Sequence, residues 1–270
     1  MKKQILIALA VTAISAGAAY ATVTTTAGNG VVGSVHDMNS VGDGIAPDAQ
    51  GRVCAFCHTP HHAIDASDPN YGDYMPLWSH TLTSQAYTQY GADSYTYDAA
   101  KAGAIDPLVG PTRLCMSCHD GAIAPDQHYG ATSATNKKFA GNEFTGADFQ
   151  IGIGANGALN RTHPIGFKLA DAVAADLAGS NPAPGASGFK PGVAAGTATY
   201  IGNPVAKTIG SQLYNGYMTC ATCHDVHNKD NATNTVGAGI DADHHDTVGR
   251  NYLVFSPQSG SQLCLSCHNK

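Results

Sequence analysis

Charge is scarce in this sequence: 13% of its 270 residues are Asp, Glu, Lys or Arg. Aromatic side chains are thinner still, at 7% with a single Trp, whereas Gly and Pro number 31 and 13. A chain so short of bulky apolar side chains, and so rich in residues that punctuate regular structure, makes a poor conventional core. Its apolar mass has to come from something it binds. Basic excess is also missing. Fourteen Lys and Arg face twenty Asp and Glu, for a net charge of −6, which argues against nucleic acid as a partner.

Long apolar runs are absent beyond the first residues, so no transmembrane helix is expected and the protein is read as not an integral membrane protein. The one such run, Ile5 to Ile14, follows Lys2 and Lys3 and ends in Ala19-Tyr20-Ala21. A basic start, a short apolar middle and an A-x-A end form a secretory signal peptide over residues 1–21, with the mature chain beginning near Thr22. No Cys near that point offers a lipid anchor.

What the sequence does have is eight cysteines in four pairs, with none left over: Cys54/Cys57, Cys115/Cys118, Cys220/Cys223 and Cys264/Cys267. Two residues separate the members of each pair, and a histidine follows each at once: His58, His119, His224 and His268. This is the C-x-x-C-H haem-attachment signature, four times over. The two thiols add to the two vinyl groups of one haem, a span the two-residue gap matches, and the adjacent His takes the fifth position on iron. Zinc sites, thioredoxin-like centres and disulfides all use paired Cys. None of them explains a His after all four pairs. Covalent attachment also holds a cofactor where the pocket is shallow, as it must be in a chain with little core.

The order of these motifs repeats. His36 precedes Cys54-Ala55-Phe56-Cys57-His58-Thr59-Pro60-His61, and the first unit closes with Leu114-Cys115-Met116-Ser117-Cys118-His119. His163 precedes Cys220-Ala221-Thr222-Cys223-His224-Asp225-Val226-His227, and the second closes with Leu263-Cys264-Leu265-Ser266-Cys267-His268. A lone His, a C-x-x-C-H-x-x-H and an L-C-x-S-C-H, twice, read as a duplicated two-haem unit, placed at 22–150 and 151–270. Leu169, Val173 and Leu177 mark a helix with Gly179 as its stop. The Gly-, Ala- and Pro-rich stretch at about 180–198 reads as a linker or long surface loop. Tyr87, Tyr90, Tyr95 and Tyr97 read as aromatics packing on haem. The expected fold is a multihaem cytochrome c, mostly irregular loop with short α-helices at the attachment sites, organised around four covalent haem c groups.

Four irons need four further ligands, and nine of the thirteen His remain. The repeat selects His36, His61, His163 and His227. His61 and His227 each fall three residues after a proximal His. If that stretch is a helical turn they share its face, so each should serve a different haem, the ones at Cys115 and Cys264. His36 and His163 would then serve the haems at Cys54 and Cys220, Pro164 holding His163 in an extended backbone. His62 and His80 are reserve distal ligands; His128 reads as structural or exposed, and His244 and His245 as part of a solvated loop. Met116 lies inside an attachment loop and is excluded as a ligand, whereas Met38, Met75 and Met218 compete with His. The abundance of His favours two imidazoles on every iron, and so low reduction potentials.

These doubled units, with His163-Pro164, the Cys54-to-His62 segment and the Cys220-to-His227 segment, resemble the multihaem cytochromes of metal-reducing bacteria, and among them the tetrahaem outer-surface cytochromes that polymerise into conductive filaments. The resemblance spans about Val32 to Lys270. It implies bis-His ligation of every haem, a continuous haem chain, and one distal His donated by a neighbouring subunit, for which His36, His62 and His80 are candidates. The expected function is electron transfer and export, head to tail through copies of itself, to other c-type cytochromes and an external electron acceptor, at the outer cell surface. A monomeric periplasmic shuttle is the alternative. An enzyme is not expected, because a multihaem reductase needs an iron with an open position.

Overall fold

A computed structural model describes residues 30–32, 36–39, 45–88, 106–128, 133–136, 138, 157, 159, 162–178, 188–203, 205–227, 253–257 and 259–269. The signal-peptide residues, Tyr90, Tyr95, Tyr97, Gly179, His244 and His245 lie outside these. Among the described residues the chain has four helices: α1 (Pro111–His119), α2 (Leu169–Ala178), α3 (Cys220–Cys223) and α4 (Gln262–Cys267). Single 3-10 turns occur at Val53–Phe56, Gly210–Gln212 and Ser259–Ser261. Strands are absent among the described residues; six isolated bridges take their place. None of the described helices is long and apolar enough to cross a membrane.

Every short helix is an attachment motif or leads into one. In α1, Pro111 sits at the first helical positions, where its missing N–H costs nothing. Gly110 before it has φ 53°, and a Cβ there would collide with the Tyr214 ring. Cys115, Cys118 and His119 fall at i, i+3 and i+4 and so share one face of α1. The helix at Leu169–Ala178 covers the periodic Leu169, Val173 and Leu177.

The main apolar cluster gathers Phe167, Leu169, Val193, Ile209, Met218 and Phe255. It joins α2 to the segments that carry the third and fourth motifs. A smaller one, Trp78, Leu82 and Leu114, lies under the first two, with Cys57 and Met75 against it. The 188–198 part of the stretch read as a linker or loop is tied into the larger cluster: Val193 is fully buried and Lys190 N–H donates to Cys267 O at 2.8 Å. Gly and Ala there permit close approach rather than looseness, since a Cβ on Gly210 would clash with the Gly196 backbone.

The regions on either side of residue 150 interlock. Asp106 N–H donates to Gly166 O (2.9 Å), Leu159 N–H to Thr88 O (2.9 Å) and Cys220 N–H to Thr112 Oγ1 (3.2 Å). Gly166 has φ 81°, and any Cβ would strike the Asp106 carbonyl.

Candidate functional site

Three of the four motif histidines are held by the same backbone brace. At the first, third and fourth motifs the His N–H donates to the carbonyl of the first Cys: His58 to Cys54 (2.8 Å), His224 to Cys220 (3.0 Å) and His268 to Cys264 (2.9 Å). The chain then turns extended, with φ/ψ of −113°/143° at His224 and −106°/146° at His268. Each of these His forms an antiparallel bridge, to Trp78, Val254 and Phe189 respectively. Two flanking bonds close each brace: Thr59 N–H to Leu77 O and Ser79 N–H to Cys57 O; Asp225 N–H to Leu253 O and Phe255 N–H to Cys223 O; Asn269 N–H to Gly188 O and Lys190 N–H to Cys267 O. The second motif differs, because His119 stays within α1 and Asp120 caps the helix.

The braces remove the premise of a helical turn running from His58 to His61 or from His224 to His227. The helical segments end at Phe56 and Cys223. His61 and His62 are exposed. His227 instead lies over His58, with ring centroids 6.2 Å apart and planes 28° apart. His36 lies beside His119 (6.1 Å) and His163 beside His268 (6.4 Å). Chain order associates His36 with the first motif, His163 with the third and His227 with the fourth; the ring contacts found are with His119 of the second, His268 of the fourth and His58 of the first.

These separations carry chemical information. Two imidazoles on opposite sides of one metal ion, each with a metal–nitrogen bond of about 2 Å, have ring centroids about 6 Å apart. Each pair joins one His that follows a Cys pair to one that stands alone. Among the described residues no group of three or more His, Cys, Asp or Glu is placed to hold a metal. Burial and the neighbouring charges of His119, His224 and His227 lower the pKa of His36 to about 3, so its ring is neutral and has a lone pair to give. His58 Nδ1 hydrogen-bonds Pro76 O at 2.7 Å, and His163 Nδ1 bonds Pro164 O at 2.9 Å. Both contacts engage Nδ1, the ring nitrogen a metal-bound Nε2 would leave for hydrogen bonding. The indole N–H of Trp78 is buried beside His58 with no acceptor. Such an orphan costs about 1–3 kcal/mol and suits a site that packs a further group bearing oxygens.

None of the eight cysteines is joined to another in a disulfide. Burial pushes Cys57, Cys118 and Cys223 up to about 12 and Cys267 to about 11. Redox-active C-x-x-C centres have the opposite shift, toward a stable thiolate. Cys115 is raised as well, by a hydrogen bond with Cys220 and by burial. Motifs adjacent in chain order have thiols near one another: Cys57 is near Cys118, Cys115 hydrogen-bonds Cys220, and Cys223 is near Cys267.

Among the other singled-out residues, His80 is fully buried, its Nδ1 3.0 Å from Thr81 O and its Nε2 3.1 Å from Ala124 O and 3.5 Å from Cys118 Sγ. His128 packs on Phe56, with its Nε2 3.6 Å from Asp48 Oδ1. Met116 is fully buried in α1 and Met218 in the main cluster. Tyr87 hydrogen-bonds Thr83. Sequence reasoning gave no role to Trp78, Phe189, Val254, Pro76 or Asp225. Trp78 and Phe189 lie against His58 and His268 at 5.9 and 5.0 Å. Leu77-Trp78-Ser79 and Leu253-Val254-Phe255 share a left-handed Leu before the bridging residue, a likeness too short to detect without the structure. No protein-family model matches the chain, and no curated protein matches it.

Proposed function

We propose that this protein is an electron carrier with four covalently attached c-type haems, one at each C-x-x-C-H motif, and that it has no catalytic site of its own. The observation that carries this reading is the set of three imidazole pairs at 6.1–6.4 Å. Each pair sets a His of an attachment motif opposite a His the motif does not include. When bound, the haems supply the centres that accept and release single electrons.

The chain's own residues do the rest. The eight Cys fix the groups by thioether bonds. The pairs His58/His227, His119/His36 and His268/His163 would each offer imidazole nitrogens to a haem iron at three of the four motifs. The backbone braces hold the motif histidines in place. Successive motifs lie near one another in chain order, an order suited to transfer along the chain. Exported protein should carry four haem additions by mass spectrometry and have a low-spin spectrum. Protein carrying no haem would overturn the reading.

The finer reading is a head-to-tail filament at the outer cell surface, supported by the resemblance to filament-forming tetrahaem cytochromes. A contact that repeats without closing gives a fibre. Of the three histidines considered as donors to a neighbouring copy, His80 is fully buried and His36 is turned toward His119. His62, like His61, is exposed, which favours that segment. Electron micrographs of protein sheared from the cell surface should show fibres, and compact single chains would favour a periplasmic or outer-surface shuttle.

A further inference from the structure

The carboxylate of Asp225 lies beside the His227 ring, with Oδ1 3.8 Å from Nδ1. The same oxygen accepts the His227 backbone N–H at 2.9 Å, so a tight local turn fixes the carboxylate relative to the ring. Asp225 N–H is itself pinned to Leu253 O by the brace of the third motif. On its other oxygen Asp225 meets Lys207 Nζ at 3.6 Å, and Lys207 also lies over the Phe255 ring at 4.8 Å. The Nδ1 contacts of His58 and His163 are to neutral carbonyls. His227 differs from them in having a full negative charge behind it.

At 3.8 Å the carboxylate is beyond hydrogen-bond reach of the ring, so it acts through its charge. A negative charge near a metal-bound imidazole stabilises the more positive, oxidised state of the metal. A cation next to that carboxylate works against it. From this geometry we infer that Asp225 is a positioning residue that lowers the reduction potential of the haem held between His58 and His227, and that Lys207 offsets it. The inference rests on the haem reading given above and adds to it a means of setting one site apart from its neighbours.

The test uses full-length, haem-loaded protein, reduced one electron at a time with dithionite through mediators. Asp225→Asn keeps the oxygen that accepts the His227 N–H and removes the charge. Lys207→Gln removes the opposing charge and leaves Asp225 in place. Asp225→Asn should raise one of the four potentials and Lys207→Gln should lower the same one. Each should change that site's oxidised-to-reduced ratio about two- to fivefold, the range of a solvent-screened ion pair, and leave the other three in place. The haem that moves should be the one whose low-spin signal is lost in His227→Ala. Shifts of the same sign in both variants, shifts spread over all four haems, or no shift would overturn the role of Asp225. Mass spectrometry of the unsubstituted protein keeps the two readings apart: haem-free material overturns the haem assignment itself, whereas four haems with unmoved potentials overturn only this inference.

Discussion

His227 shows how much one side chain can decide here. It belongs by sequence to the third motif, yet its ring lies over His58 of the first. Replacing it with Ala should leave four haems attached, since no Cys is touched. One of the four should turn from low-spin to high-spin and bind carbon monoxide at neutral pH. Proteolysis and mass spectrometry should place the altered haem on the Cys54/Cys57 peptide; finding it on the Cys264/Cys267 peptide would restore the pairing that chain order suggests. Asp48 matters differently. Its side chain is 2% exposed and accepts bonds from the Arg52 guanidinium and from the backbone N–H groups of Gln50 and Arg52. The Arg52 side chain, first among these, holds the carboxyl well below its ordinary 3.8. A depressed folded-state pKa contributes stability above the unfolded value and loses it as pH falls through the folded one. Asp48→Asn should therefore unfold at a lower temperature than the unsubstituted protein at pH 7, with the gap narrowing below about pH 4.

At the scale of elements, none of α1, α3 and α4 is long enough to be stable alone, since isolated helices need about 12–15 residues. They persist because each is braced from outside. The contact between α1 and α3 is the clearest case: Thr112 Oγ1, fully buried, accepts the N–H of Cys220 at 3.2 Å. Thr112→Val keeps the shape and strands that donor, so a loss of about 1–3 kcal/mol is expected in denaturant unfolding followed at the haem band. The recurrent brace explains why C-x-x-C-H works as a unit in so little helix. The Cys pair occupies one turn, the His closes it, and a partner segment supplies the bridge. The C-x-x-C-H spacing was legible in the sequence. The bridging residues Trp78, Val254 and Phe189 were not, because they come from distant segments that follow no common motif. The helical-turn reading of His58 to His61 failed for a related reason: the extended His is set by a tertiary bridge and not by local propensity.

For the molecule as a whole, the apolar cluster around Val193 and Ile209 fastens α2 and the third and fourth motifs together. Ile209→Ala in this fully buried place should cost about 2–5 kcal/mol, a loss that thermal unfolding would register. The two sequence units are not separate bodies, since backbone bonds and the His58–His227 pair cross between them. Assembly belongs to this scale too. If a neighbouring copy takes up the exposed His61–His62 segment, the double variant His61→Ala/His62→Ala should sediment as single chains and still hold four haems. Fibres of unchanged length in that variant would place the contact elsewhere.

The sequence by itself carries the four C-x-x-C-H motifs on which the haem proposal rests. Cysteine spacing and the adjacent His are local covalent facts that no fold has to reveal. It also exposed the scarcity of core-forming residues and marked the helix at Leu169–Ala178 by its period. Which imidazoles lie beside one another was decided only by the tertiary structure. Such a contact is a meeting of two rings across space, and the order of repeated motifs does not fix that meeting once loops of different length carry the rings. The same holds for Asp225 and for the 188–198 segment, whose roles come from neighbours far away along the chain.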